Sequence, residues 1–142
     1  MAPLFRTEEL ENLDIEARKP NKAGVLAVFY PDTEANTRLA LILRNTYKGV
    51  HSNQVGFPGG RVELEDLNME YTALRETEEE IGISRTDVRV LRELTKLYIP
   101  PSNFWVHPFM GVMEKTPILV AQEDEVQEIL EVDIDHFLND KN

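Results

Sequence analysis

Three glutamates at helical spacing lie near the middle of the chain. Glu79 and Glu80 follow Glu76 by three and four residues, so a helix would place all three carboxylates on one face. An exposed helix tolerates such a face, because like charges at this spacing cost only about 0.2–0.5 kcal/mol per pair. A bound cation is the alternative explanation, since hard cations such as Mg²⁺ prefer carboxylate and phosphate oxygens.

A glycine pair precedes this acidic segment. Gly59 and Gly60 follow Phe57 and Pro58 in the sequence. Without side chains, the backbone of two glycines can approach a ligand closely and turn a carbonyl toward a cation. Taken alone, the pair is also typical of an ordinary tight turn. Together with the three glutamates, it favours a metal site that binds a phosphorylated ligand.

The composition is that of one globular domain, and we predict a single domain over residues 1–142. The net charge of −11 argues against a nucleic-acid partner, because binding a phosphate backbone needs a basic face. Small phosphorylated substrates remain compatible with this charge, since divalent cations can bridge carboxylates to phosphates.

The chain has no cysteine, which excludes disulfides, thiolate zinc sites and cysteine nucleophiles. No apolar run approaches the roughly 20 residues that span a bilayer, so no membrane partner is expected. The first residues contain no apolar signal core. These features together predict a cytoplasmic location.

Short apolar segments rich in β-branched and aromatic residues predict the strands that position these groups. Residues 23–31 and 38–45 are separated by a turn-like segment and are expected to be neighbouring strands. Residues 89–101 and 103–113 predict two more strands, interrupted at a Pro-Pro pair. An acidic loop that runs into a final strand is expected over residues 121–132.

One well-defined helix is predicted over residues 67–81, with Gly82 as its C-terminal stop. Thr7 is a plausible cap for a short helix near the start, and Asp133 or Asp135 for a terminal helix. Strands before and after the central helix predict an α+β layered fold.

Residues 60–83 resemble a Nudix box, whose pattern is G-x5-E-x7-R-E-U-x-E-E-x-G-U with U an aliphatic residue. Asp66 takes the first Glu position, eight residues instead of seven separate it from Arg75, and Thr77 replaces an aliphatic residue. The R-E-x-x-E-E half keeps its spacing. The residues that match in that half and beyond it are Arg75, Glu76, Glu79, Glu80, Gly82 and Ile83.

Residues 39–60, LALILRNTYKGVHSNQVGFPGG, resemble the segment before the box in the coenzyme A pyrophosphatase branch, roughly L-L-T-x-R-[S/A]-x7-G-x3-F-P-G-G. The matching residues are Leu41, Arg44, Phe57, Pro58, Gly59 and Gly60. The departures are Ala40 for the first Leu, Ile42 for Thr, Asn45 for Ser or Ala, and Asn53 for Gly.

The resemblance implies a Nudix-type α/β/α sandwich with a mixed β-sheet. It also implies hydrolysis of a nucleoside diphosphate linked to another group. The preferred substrate would be coenzyme A or acyl-CoA, giving 3′,5′-ADP and 4′-phosphopantetheine or its acyl form. ADP-ribose, a nucleotide sugar or a nucleoside triphosphate is the alternative substrate.

The resemblance further implies a set of site residues. Glu76, Glu79 and Glu80 would bind Mg²⁺ or Mn²⁺ with the Gly59 carbonyl, and Arg75 would fix a glutamate rotamer. The family often adds a carboxylate from the loop before the last strand. Among Glu123, Asp124 and Glu125, counting back from that strand favours Glu125. Glu79 is our first choice of general base and Glu76 the second.

Substrate contacts are expected from cations and one aromatic residue. Arg44 and Arg61 are candidate phosphate partners, His51 lies in the polar loop before the glycine pair, and Phe57 lies beside that pair. Two other classes of function stay open: a non-catalytic nucleotide-binding module, and an acidic interaction protein without metal. Members of the coenzyme A branch usually continue past the position of Asn142. We therefore expect either a very short covering helix or the partner subunit of a homodimer to close that side.

Overall fold

The computed structural model describes residues 14–45 and 54–135. These residues form a mixed sheet of eight strands, a helix of 13 residues, two short 3₁₀ turns and a helical segment at residues 14–17. The helix, α1, covers Met69–Ile81. The strands are β1 (Asn21–Pro31), β2 (Thr37–Arg44), β3 (Val55–Gly56), β4 (Gly59–Arg61), β5 (Arg89–Glu93), β6 (Leu97–Ile99), β7 (Phe104–Val112) and β8 (Val126–Asp133).

Strand β1 is the centre of the sheet. Its apolar, β-branched sequence suits a strand that is buried on both faces. It pairs in parallel with β7 along its length, and on its other side it pairs first with β4 and then with β2, both antiparallel. Strand β2 also pairs with β3 and with β8. The α+β prediction with a mixed sheet is therefore confirmed.

Helix α1 packs on one face of this sheet, against β1, β4 and β7. Asn68 caps its first turn, because the side chain accepts a hydrogen bond from the Tyr71 N–H at 2.7 Å. Gly82 ends it with φ of 80°, as predicted. The helix thus begins two residues later than the predicted residue 67.

The hydrophobic core lies between α1 and the helix-facing side of the sheet. Alternate residues of β1 point toward the helix, and the buried residues of α1 pack against them. The buried core residues are Leu26, Val28, Tyr30, Ala40, Ile42, Ala73, Ile81, Ile83, Phe109, Met113 and Val126.

The prediction of one strand over residues 89–101 is wrong. The segment forms two strands, β5 and β6, which both pair with β7. Pro108 of β7 lies opposite the break and has no N–H to donate to the ladder. Its carbonyl accepts a hydrogen bond from the Leu94 N–H at 2.8 Å, and within β5 the register against β7 shifts between Val90 and Arg92.

The remaining strand predictions are confirmed, since residues 23–31 and 38–45 correspond to the neighbouring strands β1 and β2. The predicted helix near Thr7 and the loop that contains His51 lie outside the described residues. Residues 134–135 are helical, and the rest of the predicted terminal helix falls on residues outside the described ranges. Within the described ranges, no helix is long and apolar enough to cross a membrane.

Candidate metal centre

The glycine pair places Glu76 against the backbone of β4. A Cβ atom added to Gly60 would come within 2.5 Å of the Glu76 Cδ atom, so only glycine leaves room for this carboxylate. A Cβ atom added to Gly59 would likewise clash with the Gly24 carbonyl and would come within 2.6 Å of the Val25 Cα atom of β1. The strand that precedes the helix therefore sets the position of the first glutamate.

Glu80 lies one helical turn after Glu76, and its side chain is 1% exposed. One carboxylate oxygen accepts the Gly59 N–H at 2.8 Å, and the other accepts the Arg44 guanidinium at 2.7 Å. Arg44 also donates to the Gly59 carbonyl at 2.9 Å. The predicted phosphate partner Arg44 thus ties the end of β2 to both the glycine pair and α1.

Glu125 reaches the site from the loop before β8. The Gln122 N–H donates to the Glu80 carbonyl at 2.9 Å, which fixes the loop to the end of α1. The Asn45 N–H donates to the Glu125 carbonyl at 3.0 Å, and the Asn45 side chain donates to the Glu123 carbonyl at 2.8 Å. These backbone contacts hold the exposed Glu125 side chain beside the two helical glutamates.

Glu76, Glu80 and Glu125 each offer one carboxylate oxygen, and these oxygens lie within 4.8 Å of one another. They line an open cavity of about 450 Å³ together with Arg44, Gly59 and Arg61, among others. A cluster of oxygen donors beside open space is suited to a hard divalent cation that also binds substrate oxygens. The described residues therefore fit the implied metal.

Burial disfavours the charged forms of the two helical ligand candidates. It raises the pKa of Glu76, against the opposing effect of Arg75. It also raises the pKa of Glu80 to about 7, although Arg44 and the Gly59 N–H favour the carboxylate. A cation between these groups would restore the ionised forms.

Arg75 is the centre of a second charged network next to this site. Its guanidinium binds Asp66 with two hydrogen bonds of 2.9 Å, and it also contacts Glu76 at 3.0 Å and Glu79 at 3.2 Å. Asp66 is the residue that replaces Glu in the box pattern. The pKa of Asp66 falls to about 2, chiefly because Arg75 hydrogen-bonds to the carboxylate. Arg75 therefore orients Glu76.

The other predicted site residues are placed differently. Glu79 has a side chain that is 55% exposed and contacts Arg75, and it is not part of the three-oxygen cluster. Arg61 donates to the Asn21 side chain at 2.9 Å beside the cavity. Phe57 lines a neighbouring apolar groove, and His51 lies outside the described residues.

Sequence reasoning missed the groups that hold the site together. The contact of Arg44 with Glu80 was not predicted, although the position of Arg44 in the segment before the box was the available signal. Neither Gln122 nor Asn45 was predicted to hold the Glu125 loop. Their contacts are made by the backbone and by an amide side chain, for which the sequence pattern gives no signal.

The model of the NUDIX domain matches residues 20–142, so the chain belongs to the Nudix family. A peroxisomal coenzyme A diphosphatase of Caenorhabditis elegans is 27% identical over 138 residues, which cover 96% of this chain and 59% of that protein. The mitochondrial Nudix hydrolase 15 of Arabidopsis thaliana is 29% identical over 131 residues, which cover 91% of this chain and 46% of that protein. The chain thus spans about half the length of these relatives.

The fold is similar to that of an Ap4A hydrolase of Caenorhabditis elegans, solved as a binary complex. The TM-score is 0.66 at 15% identity, and the match covers 84% of each chain. The likeness concerns the fold, and it supports the mixed sheet with a packed helix described above.

Proposed function

We propose that this chain is a metal-dependent pyrophosphohydrolase that cleaves the diphosphate linkage of a nucleoside diphosphate derivative. The observation that carries the proposal is the cluster of Glu76, Glu80 and Glu125 oxygens within 4.8 Å, at the glycine pair of a Nudix domain. A binding module without catalysis would not need three converging carboxylates. An acidic interaction surface would not need to bury one of them.

The proposed cofactor is Mg²⁺ or Mn²⁺, held by Glu76, Glu80 and Glu125, with Glu79 and the Gly59 carbonyl as further candidates from the family pattern. When bound, the cation would neutralise charge on the diphosphate and lower the pKa of water. Arg75 orients Glu76 through its 3.0 Å contact, and Gly60 leaves the space that this carboxylate occupies.

In the proposed reaction, water attacks one phosphorus and the bond from that phosphorus to the bridging oxygen breaks. Glu79 is the proposed general base, because its exposed carboxylate can accept the proton of the attacking water while Arg75 holds it at 3.2 Å. Glu76 is the second candidate. Arg61, beside the cavity, supplies a fixed positive charge for substrate phosphate.

The proposed substrate is coenzyme A or acyl-CoA, with 3′,5′-ADP and 4′-phosphopantetheine or its acyl form as products. The resemblance of residues 39–60 to the coenzyme A branch and the name of the nematode relative support this choice. ADP-ribose, nucleotide sugars and nucleoside triphosphates are the competing substrates. The cytoplasmic location stays a prediction, while the relatives named above are peroxisomal and mitochondrial.

Product identification tests this proposal. The protein is incubated with coenzyme A and Mg²⁺ or Mn²⁺, with the competing substrates run in parallel, and products are identified by mass spectrometry. Reactions in ¹⁸O-labelled water identify which phosphorus is attacked. Glu79→Gln tests the general base, and Glu78→Gln on the exposed side of the same helix is its matched control.

Metal-dependent formation of 3′,5′-ADP, lost in Glu79→Gln and retained in Glu78→Gln, is the expected result. Turnover of another diphosphate with coenzyme A intact would replace the substrate and keep the chemistry. If no diphosphate is cleaved with either metal, the hydrolase proposal fails and a nucleotide-binding module takes its place.

A further inference from the structure

The sheet face opposite α1 carries an apolar groove. Gly24 of β1 faces the helix, since a Cβ atom there would come within 2.6 Å of the Met69 carbonyl. Its neighbour Val25 must therefore face the other side. Pro108 pairs with Val25, and Leu97 pairs with Val106, so register places these side chains on that face.

This groove has a volume of about 550 Å³, and its lining is mainly apolar. Leu97 and Ile99 are 58% and 45% exposed, which is unusual for large aliphatic side chains that share one concave surface. Among the described lining residues, polar side chains come from Arg44 and Thr95 alone. The apolar side chains that line the groove include Val25, Phe57, Leu97, Ile99, Val106 and Pro108.

The groove is continuous with the carboxylate cavity. Arg44 lines both, and a smaller hollow lined by Val25, Gly59, Arg61 and Ile99 lies between them. A substrate whose diphosphate lies at the three carboxylates would therefore place the group next to it in this groove. Arg44 marks the boundary between the charged part and the apolar part.

We propose that this groove binds the group attached to the substrate's second phosphate, and that it selects an arm of the pantetheine type through the branched dimethyl carbon and the methylene groups of that arm. The inference rests on the proposed function and adds the specificity-determining residues Leu97 and Ile99. A sugar in the same position would lose water from its hydroxyls without matching partners among the aliphatic side chains, which costs binding free energy. A nucleobase would find Phe57 as the one aromatic group in the described lining.

Paired specificity measurements on groove variants test this assignment. Leu97→Ser and Ile99→Ser remove apolar surface from exposed positions, while Leu91→Ser removes a similar side chain, 45% exposed, from the neighbouring strand β5 outside the groove. We expect each groove variant to raise KM for coenzyme A about tenfold with kcat little changed, because roughly 1.4 kcal/mol of apolar contact is lost. KM for ADP-ribose and the parameters of Leu91→Ser should not change.

Calorimetry with Mg²⁺, carried out on groove variants made in the Glu79→Gln protein so that coenzyme A stays intact, separates this proposal from the hydrolase proposal. Coenzyme A and 3′,5′-ADP share the adenosine half, and only coenzyme A carries the arm. Weaker binding of coenzyme A by both groove variants, with 3′,5′-ADP unaffected, supports the groove even if no turnover occurs. Equal losses for coenzyme A and for the ligand without the arm, or no loss for either, would overturn it even if coenzyme A is hydrolysed.

Discussion

Charge compensation at single residues determines which carboxylates of this protein are structural and which are available to a ligand. Arg75 occupies both oxygens of Asp66, whose side chain is 1% exposed. Arg44 and the Gly59 N–H each donate one hydrogen bond to Glu80, which leaves the other lone pairs of its two oxygens available to a cation. In the described part of the chain, no hydrogen bond or ion pair is made by the carboxylate of Glu125, which is exposed at the cavity. Glu125 is therefore the ligand candidate that can be changed with least effect on the fold.

Glu125→Gln should weaken Mg²⁺ binding by at least about tenfold while leaving the metal-free protein as stable as the wild type. The physical reason is that one charged oxygen is lost from a three-carboxylate site and no internal contact is broken. Mg²⁺ titrations followed by calorimetry and by thermal unfolding measure both effects. Glu123→Gln, in the same loop, is the control, and equal behaviour of the two variants would contradict the assignment.

Asp66→Asn should make the free energy of unfolding depend less on pH below about pH 5. The folded-state pKa of about 2 lies below the ordinary 3.8, so the wild-type carboxylate stabilises the fold above that ordinary value. This contribution, on the order of 2 kcal/mol, is lost as the pH falls from about 5 toward 2. Urea unfolding at several pH values should therefore show a wild-type advantage that narrows in acid. The exposed Glu65→Gln is the control, and a constant advantage would argue against the ion pair.

The positions at which the helix and strands begin, end and break determine where the site residues lie. The sequence patterns predicted β1, β2 and the end of α1 because long apolar runs and a glycine stop are local signals. The break between β5 and β6 could not be predicted, because it depends on Pro108 in the strand paired with them. For the same reason Glu125 could be chosen by its distance from β8, whereas its loop contacts to Glu80 and Asn45 could not.

Gly60→Ala should abolish metal-dependent activity, because a methyl group on β4 would displace the Glu76 carboxylate from the cluster. Gly56→Ala on β3, the strand before β4 in the chain, is a matched control, since a Cβ there meets no atom of the described residues within 4 Å. We expect Mg²⁺-induced thermal stabilisation to disappear in the first variant and persist in the second. Full stabilisation of Gly60→Ala by Mg²⁺ would show that Glu76 is dispensable for binding.

One buried polar side chain has a charge state that affects the stability of the whole molecule. His107 lies in β7 and is 8% exposed, and among the described residues its Nε2 atom has no hydrogen-bond partner. Burial is the main cause that lowers its pKa, with Lys96 adding to the effect and Glu93 opposing it. The folded protein therefore favours the neutral imidazole.

The contribution of His107 to the free energy of unfolding should fall as the pH drops below about 6.5, because the unfolded chain then binds a proton that folded His107 resists. The raised pKa of Glu80 acts in the opposite direction, so the effect of His107 is read from the difference between the wild type and a His107 variant. The loss continues down to the lowered folded-state pKa. His107→Gln removes this titration, so its free energy of unfolding should rise relative to that of the wild type as the pH falls from about 6.5 to 5. Chemical denaturation across that interval measures the two slopes. Identical slopes would show that His107 does not contribute to the pH dependence.

The parallel pairing of β1 with β7 also has a kinetic consequence. Asn21 lies opposite Phe104. The central strand pair of the sheet can therefore form only when residues far apart in the sequence come together. Long-range pairing of this kind slows folding. The carboxylate cluster joins residues 76, 80 and 125, and it should assemble only after the transition state. We therefore expect Mg²⁺ to slow unfolding and leave the refolding rate unchanged, which stopped-flow denaturant jumps with and without the ion would measure.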